Sequence, residues 1–80
     1  MTIREAVVQR IIELCSEHGI TLNKLSTKAG ITQSTLNNII SKKFSNPTIS
    51  TIKKICDGLD MQIVEFFDHQ LFENLEQEIK

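Results

Sequence analysis

A single glycine between two short amphipathic segments constrains this chain more than any other feature. Leu22, Leu25 and Ala29 recur at helical spacing, Gly30 follows at once, and Leu36, Ile39 and Ile40 resume the spacing after a short turn. Two helices of about eight residues joined by so few residues must cross steeply and press against each other. The residue types suit that demand. The small Ala29 permits close approach, Gly30 permits the positive φ that starts the turn, and Ile31 fills the space between the helices. Leu25 and Ala29 are expected to face Leu36 and Ile40.

The rest of the chain also reads as helical, because apolar residues recur every three or four positions and override the strand preference of the many β-branched side chains. A first helix is expected over Ile3–His18, with Val7, Ile11, Leu14 and Cys15 on one stripe and Gly19 as its left-handed cap. Thr21 caps a second helix, Leu22–Ala29, and Thr32 caps a third, Gln33–Ser41. Ser45, Asn46 and Pro47 are turn formers and make 42–47 a loop. A fourth helix over 49–59, capped by Thr48, turns Ile49, Ile52, Ile55, Cys56 and Leu59 inward. Asp60 can take the left-handed conformation a helix end needs, and a fifth short helix follows over 62–67. A sixth helix over 69–79, capped by Asp68, is compatible with the pattern. The expected fold is all-α, a compact five-helix domain over 1–67 followed by an acidic amphipathic helix or tail over 68–80.

Eighty residues make one domain with a modest core. The longest apolar runs fall far short of the roughly 18–20 residues of a membrane span, and the opening residues lack a signal-peptide apolar region, so a cytoplasmic protein is expected. Cys15 and Cys56 stand among apolar residues with no further ligand at metal spacing. They read as small core residues, since cytosolic disulfides rarely persist.

The net charge of −1 hides a segregation. From position 18 to 56 there is no Asp or Glu, whereas Lys24, Lys28, Lys42, Lys43, Lys53 and Lys54 all lie there. A one-sided positive field suits a polyanion. On a helical wheel the third helix divides sharply: Leu36, Ile39 and Ile40 hold one side, and Gln33, Ser34, Asn37, Asn38 and Ser41 lie within an arc of about 140° on the other. An ordinary solvent-facing helix carries Lys and Glu on its outer face; this one carries only amides and hydroxyls. Asn and Gln can pair bidentately with adenine N6 and N7, and Ser can bond either bases or phosphates. Lys42 and Lys43 at the helix end, with Lys24 and Lys28 on the preceding helix, suit phosphates. Thr32 can present its hydroxyl and the first-turn amides to a phosphate. The pattern is that of a helix–turn–helix over 21–41 whose second helix enters the major groove of double-stranded DNA. With no Arg on that helix, readout is expected to favour A·T pairs.

The chain resembles the lambda-repressor/Cro-type helix–turn–helix regulators, often called the XRE family. The resemblance covers about 7–67 and rests on four pieces in order: Leu25-Ser26, Ala29-Gly30-Ile31-Thr32, Ser34 and Leu36; Asn46-Pro47-Thr48; Ile52, Ile55-Cys56 and Leu59; and Glu65-Phe66-Phe67. It implies a transcriptional regulator of prokaryotic or phage origin that binds palindromic operators as a homodimer. It matches Gln33, Ser34, Asn37 and Asn38 to base-reading positions, and Thr32, Lys42, Lys43 and Thr48 to positions near the sugar-phosphate backbone. Three departures stand out: Leu22 occupies the place of a Gln that clamps a phosphate, Asp60 that of a Gly, and Gln62 that of a Ser or Thr cap.

The tail holds Phe72, Leu75 and Ile79 at i, i+3 and i+7. It either folds back on the core with Phe66 and Phe67 or pairs with its twin in a homodimer, and its negative charge is expected to face away from DNA. His18 and His69 are isolated and read as helix-end residues. No Ser-His-Asp arrangement, paired carboxylate or phosphate-cradling Gly loop is present, so no catalysis, cofactor or metal is expected, and no pocket for a large effector. The rival to a DNA-reading regulator is a protein-binding module, such as an antitoxin-like partner, that reuses the same fold.

Overall fold

A computed structural model describes residues 1–42 and 46–79. Five α-helices follow in order: α1 Ile3–His18, α2 Leu22–Ala29, α3 Gln33–Ser41, α4 Ile49–Gly58 and α5 Ile63–Phe67. The first four start in the same way. Thr2, Thr21, Thr32 and Thr48 are extended, and each side-chain oxygen accepts a hydrogen bond from the backbone N–H three residues on. Each threonine thus satisfies one of the amides that a helix start leaves without an intrahelical partner. Thr2 goes further: its own N–H donates to Glu5 Oε1 at 2.8 Å, closing a capping box. That bond to the Thr2 backbone is the main reason the Glu5 carboxyl is held below its ordinary value. Gly19 and Gly30 end α1 and α2 in the left-handed conformation, at φ +63° and +69°, and Asp60 does so after α4 at φ +56°.

The apolar stripes meet in one core, in which Ile11, Leu25, Leu36, Ile55, Cys56 and Phe66 are buried completely or nearly so. Cys15 and Cys56 are buried free thiols, and burial pushes both upward from the usual cysteine range. The tightest approach falls between α2 and α4. A Cβ placed on Gly58 would lie 2.7 Å from the Lys28 carbonyl oxygen and 2.9 Å from the Ala29 nitrogen. Gly58 costs α4 helix propensity but lets the backbone at the end of α2 rest directly on it.

Arg10 is a buried cation that ties α1 to α5. Its Nε and Nη2 donate to the carbonyls of Phe66 and Glu65 at 2.8 and 2.9 Å, and its Nη1 to Glu13 Oε1 at 3.1 Å. These carbonyls belong to the last turn of α5, where helix geometry leaves oxygens without an N–H partner. The same Glu13 oxygen meets His69 Nε2 at 2.7 Å, while His69 Nδ1 accepts the Leu71 N–H.

Two expectations are corrected. The first concerns Ile49, expected inward but 77% exposed. Ile49 opens α4, one turn before the stripe enters the core at the buried Ile52, and it edges a shallow apolar cleft with Ile3, Pro47, Ile52 and Phe67. The second concerns the tail, which forms no sixth α-helix over 69–79. A single 3₁₀ turn, Gln70–Phe72, is capped by His69 rather than Asp68, and an irregular segment follows. The helical stripe of Phe72, Leu75 and Ile79 therefore does not exist. Phe72 is half-buried against the core, its ring 4.9 Å from that of Phe67 and 6.1 Å from that of Phe66, and Ile79 is 85% exposed. The aromatic contacts outbid helix formation by a segment rich in like-charged Glu.

Candidate nucleic-acid interface

The sharp division on the wheel of α3 is realised in the fold. Leu36 and Ile39 are buried and Ile40 half-buried, whereas Gln33, Ser34, Asn37 and Ser41 are exposed. Asn38 is only half-buried and stands at the margin of this face. Ser41 Oγ turns back to donate to the Asn37 carbonyl at 2.6 Å, which leaves Gln33, Ser34 and Asn37 as the most forward polar side chains. The turn before α3 is built as its residues require: Gly30 is left-handed, its N–H bonds carbonyls at the end of α2, Ile31 is half-buried, and Thr32 starts the next helix.

The backbone-contact candidates lie around this face. Lys24, Thr32, Lys42 and Thr48 are all exposed; Lys43 lies outside the described residues. The hydroxyl of Thr32 accepts the Thr35 N–H at 3.0 Å and donates to Thr35 Oγ1 at 2.8 Å, so it is committed to the cap. Thr48 and Thr51 pair their hydroxyls in the same way at 3.0 Å. Of the positive charges in the acid-free stretch, Lys53 is ion-paired to Asp57 one turn on. An exposed pair of this kind is weak, and it sits on α4 rather than beside α3.

One contact escapes sequence reasoning. Arg4, in the first turn of α1, donates from Nη2 to the carbonyls of Ile39, at 2.9 Å, and of Lys42. The partners are 35 and 38 positions away. The only local hint is negative: α3 has no basic residue in its last turn and no left-handed glycine after it.

The tail also returns to this side of the molecule, contrary to the expectation that its charge faces away. The Glu76 N–H donates to the Met1 carbonyl at 3.1 Å. A cleft between the start of α1 and the end of α3 is lined by Arg4, Glu5, Ile40, Ser41, Glu76 and Glu78. The acids thus border the C-terminal end of the polar face.

Comparison with known proteins bears on the fold and the family. The HTH-type transcriptional regulator SlrR of Bacillus subtilis (strain 168) is 30% identical over 63 residues, which is 78% of this chain; the chain spans only 41% of that relative's length. The crystal structure of the prophage Lp1 protein 11 superposes with a TM-score of 0.82 at 33% identity, covering 94% of this chain and 99% of that one. Among the described residues no helix is long and apolar enough to cross a membrane. A family model for the Cro/C1-type HTH DNA-binding domain matches residues 10–71, and the chain belongs to that DNA-binding, non-enzymatic family.

Proposed function

We propose that this chain is a sequence-specific transcriptional regulator that reads an operator with α3 in the major groove. The observation that carries the proposal is the exposed, uncharged amide-and-hydroxyl face of α3, set in a stretch free of acids within a DNA-binding fold. Gln33, Ser34 and Asn37 are the primary base readers, with Asn38 reaching bases from the margin. Lys24, Lys42 and Lys43 hold the phosphates, and Thr48, its hydroxyl paired with Thr51, offers the first-turn amides of α4. At Thr32 the contact falls to the first-turn amides of α3, because the hydroxyl is engaged. A homodimer on a palindrome belongs to the same proposal. With Phe72 half-buried against the core, the large apolar side chains exposed among the described residues are Met1, Ile12, Ile49, Val64 and Ile79, and Ile79, Ile49 and Val64 are the most open, at 85%, 77% and 70%.

Selection of bound duplexes from a random pool tests this directly. The expected product is an A·T-rich palindrome, its half-sites about one helical turn apart. Equal affinity for every duplex sequence would instead leave a protein-binding module on the same fold, its contact drawn from these exposed apolar side chains.

A further inference from the structure

We infer that Arg4 is a positioning residue for base reading, a guanidinium clamp that fixes the C-terminal end of α3 to the scaffold. The inference rests on the reading of α3 as the groove-entering helix. An α-helix leaves its last four carbonyls without intrahelical donors. After α1 and α2 these oxygens are met by the N–H groups of left-handed glycine caps. Lys42, by contrast, is extended at φ −95° and ψ 118°, and its N–H reaches only Asn38. The Ser41 hydroxyl reaches Asn37. Arg4 meets the carbonyls of Ile39 and Lys42 from outside the helix.

The clamp has the right chemistry for holding a helix in register. The planar guanidinium presents donors in a fixed fork, which a lysine cannot reproduce. Its positive charge sits at the negative end of the α3 dipole, adding to the C-cap Lys42 where the last turn of the helix itself holds no basic residue. Arg4 is itself held by a first turn locked by the Thr2–Glu5 capping box. Asn37 lies two residues before the first clamped carbonyl, and Lys42 is part of the clamp. Slackening the clamp lets the end of α3 tilt, which misaligns an amide that must meet a base edge within a few tenths of an ångström. Phosphate contacts by flexible lysines tolerate such a tilt.

The test compares the wild type with Arg4→Met, which removes the donors but keeps the stem, and Arg4→Lys, which keeps the charge but loses the fork. The probes are a duplex recovered by wild-type selection from a random pool and a scrambled duplex of the same composition. Arg4→Met is expected to lower the ratio of the two affinities by about tenfold, the scale of losing one aligned base pairing. The salt dependence on the scrambled duplex should stay unchanged, and Arg4→Lys should fall between. Amide exchange in the last turn of α3 should accelerate while that in α4 does not. Equal weakening on both duplexes with a shallower salt slope would make Arg4 a phosphate contact and overturn the inference. A lowered melting temperature with an unchanged affinity ratio would reduce it to support of the fold. If wild type recovers no preferred duplex, base reading by α3 fails. Exchange then still decides the clamp, and unchanged rates in the last turn of α3 sink it.

Discussion

On the proposed reading, single side chains divide between those that would choose a sequence and those that would hold phosphate, while others hold the shape of the fold. Gln33→Ala and Asn37→Ala should each cost about 1–3 kcal/mol of discrimination between a selected and a scrambled duplex, if each amide pairs a base. Lys42→Ala should weaken both duplexes alike and flatten the dependence of affinity on salt. Titrations at two or more salt concentrations separate the two patterns. Gly58 is a residue of shape. Alanine is the better helix former, yet Gly58→Ala should lower stability by about 1–3 kcal/mol, because the added methyl meets the backbone of Lys28 and Ala29, which cannot swing aside. A rise in melting temperature for this variant would mean that α2 and α4 can separate freely. Arg10→Met keeps much of the apolar stem but strips the donors from the carbonyls of Glu65 and Phe66. A loss of about 2–4 kcal/mol in denaturant unfolding is expected, the scale of leaving two backbone acceptors poorly satisfied.

Helix ends carry much of the organisation at the next scale. Four threonine caps and two glycine caps set where α1 to α4 begin and where α1 and α2 stop, all within reach of local sequence. The start of α1 brings a pH dependence with a definite sign. Because the Thr2 backbone N–H bonds the ionised carboxylate, Glu5 has a folded-state value below its ordinary 4.5. Its contribution is therefore complete above that ordinary value and is lost as pH falls through the lower, folded one. Carbon-detected titration of Glu5 should give a midpoint below 4.5, and the Thr2 amide should move with it. In Glu5→Gln the Thr2 amide should no longer follow that titration. By contrast, α3 ends on the extended Lys42 instead of a left-handed glycine, and the Ile39 carbonyl in its last turn is met by a residue of another helix.

Across the whole molecule, charge is sorted along the chain but not fully sorted in space. The stretch without acids supplies the face of α3, while the acidic tail folds back so that Glu76 and Glu78 border a cleft shared with Ser41. Carboxylates so placed repel approaching phosphates across a distance comparable to the Debye length of roughly 10 Å in 0.1 M salt. Converting both Glu76 and Glu78 to Gln should therefore strengthen binding to any duplex, selected or scrambled, by a few-fold at low ionic strength. The gain should vanish in high salt. A gain confined to one duplex sequence would show that the tail affects base reading rather than the general field.

How much of this was legible depends on the range of the interactions involved. Helix positions, caps, the buried stripes of α1 to α4 and the polar face of α3 follow from spacings of three and four residues, and hydrophobic burial then forces the stripes together. Gln33, Ser34 and Asn37 were therefore visible as a surface before any contact was known. The outcomes that sequence left open all involve partners far apart in the chain. Tertiary packing alone exposed Ile49, gave Gly58 its purpose, buried Arg10 against α5 and drew Phe72 into an aromatic cluster instead of a helix. It also brought Arg4 across to the end of α3. Local periodicity determines what each segment can become. Which guanidinium meets which orphaned carbonyl is decided only when the helices dock, because that partner is chosen by distance in space and not by position along the chain.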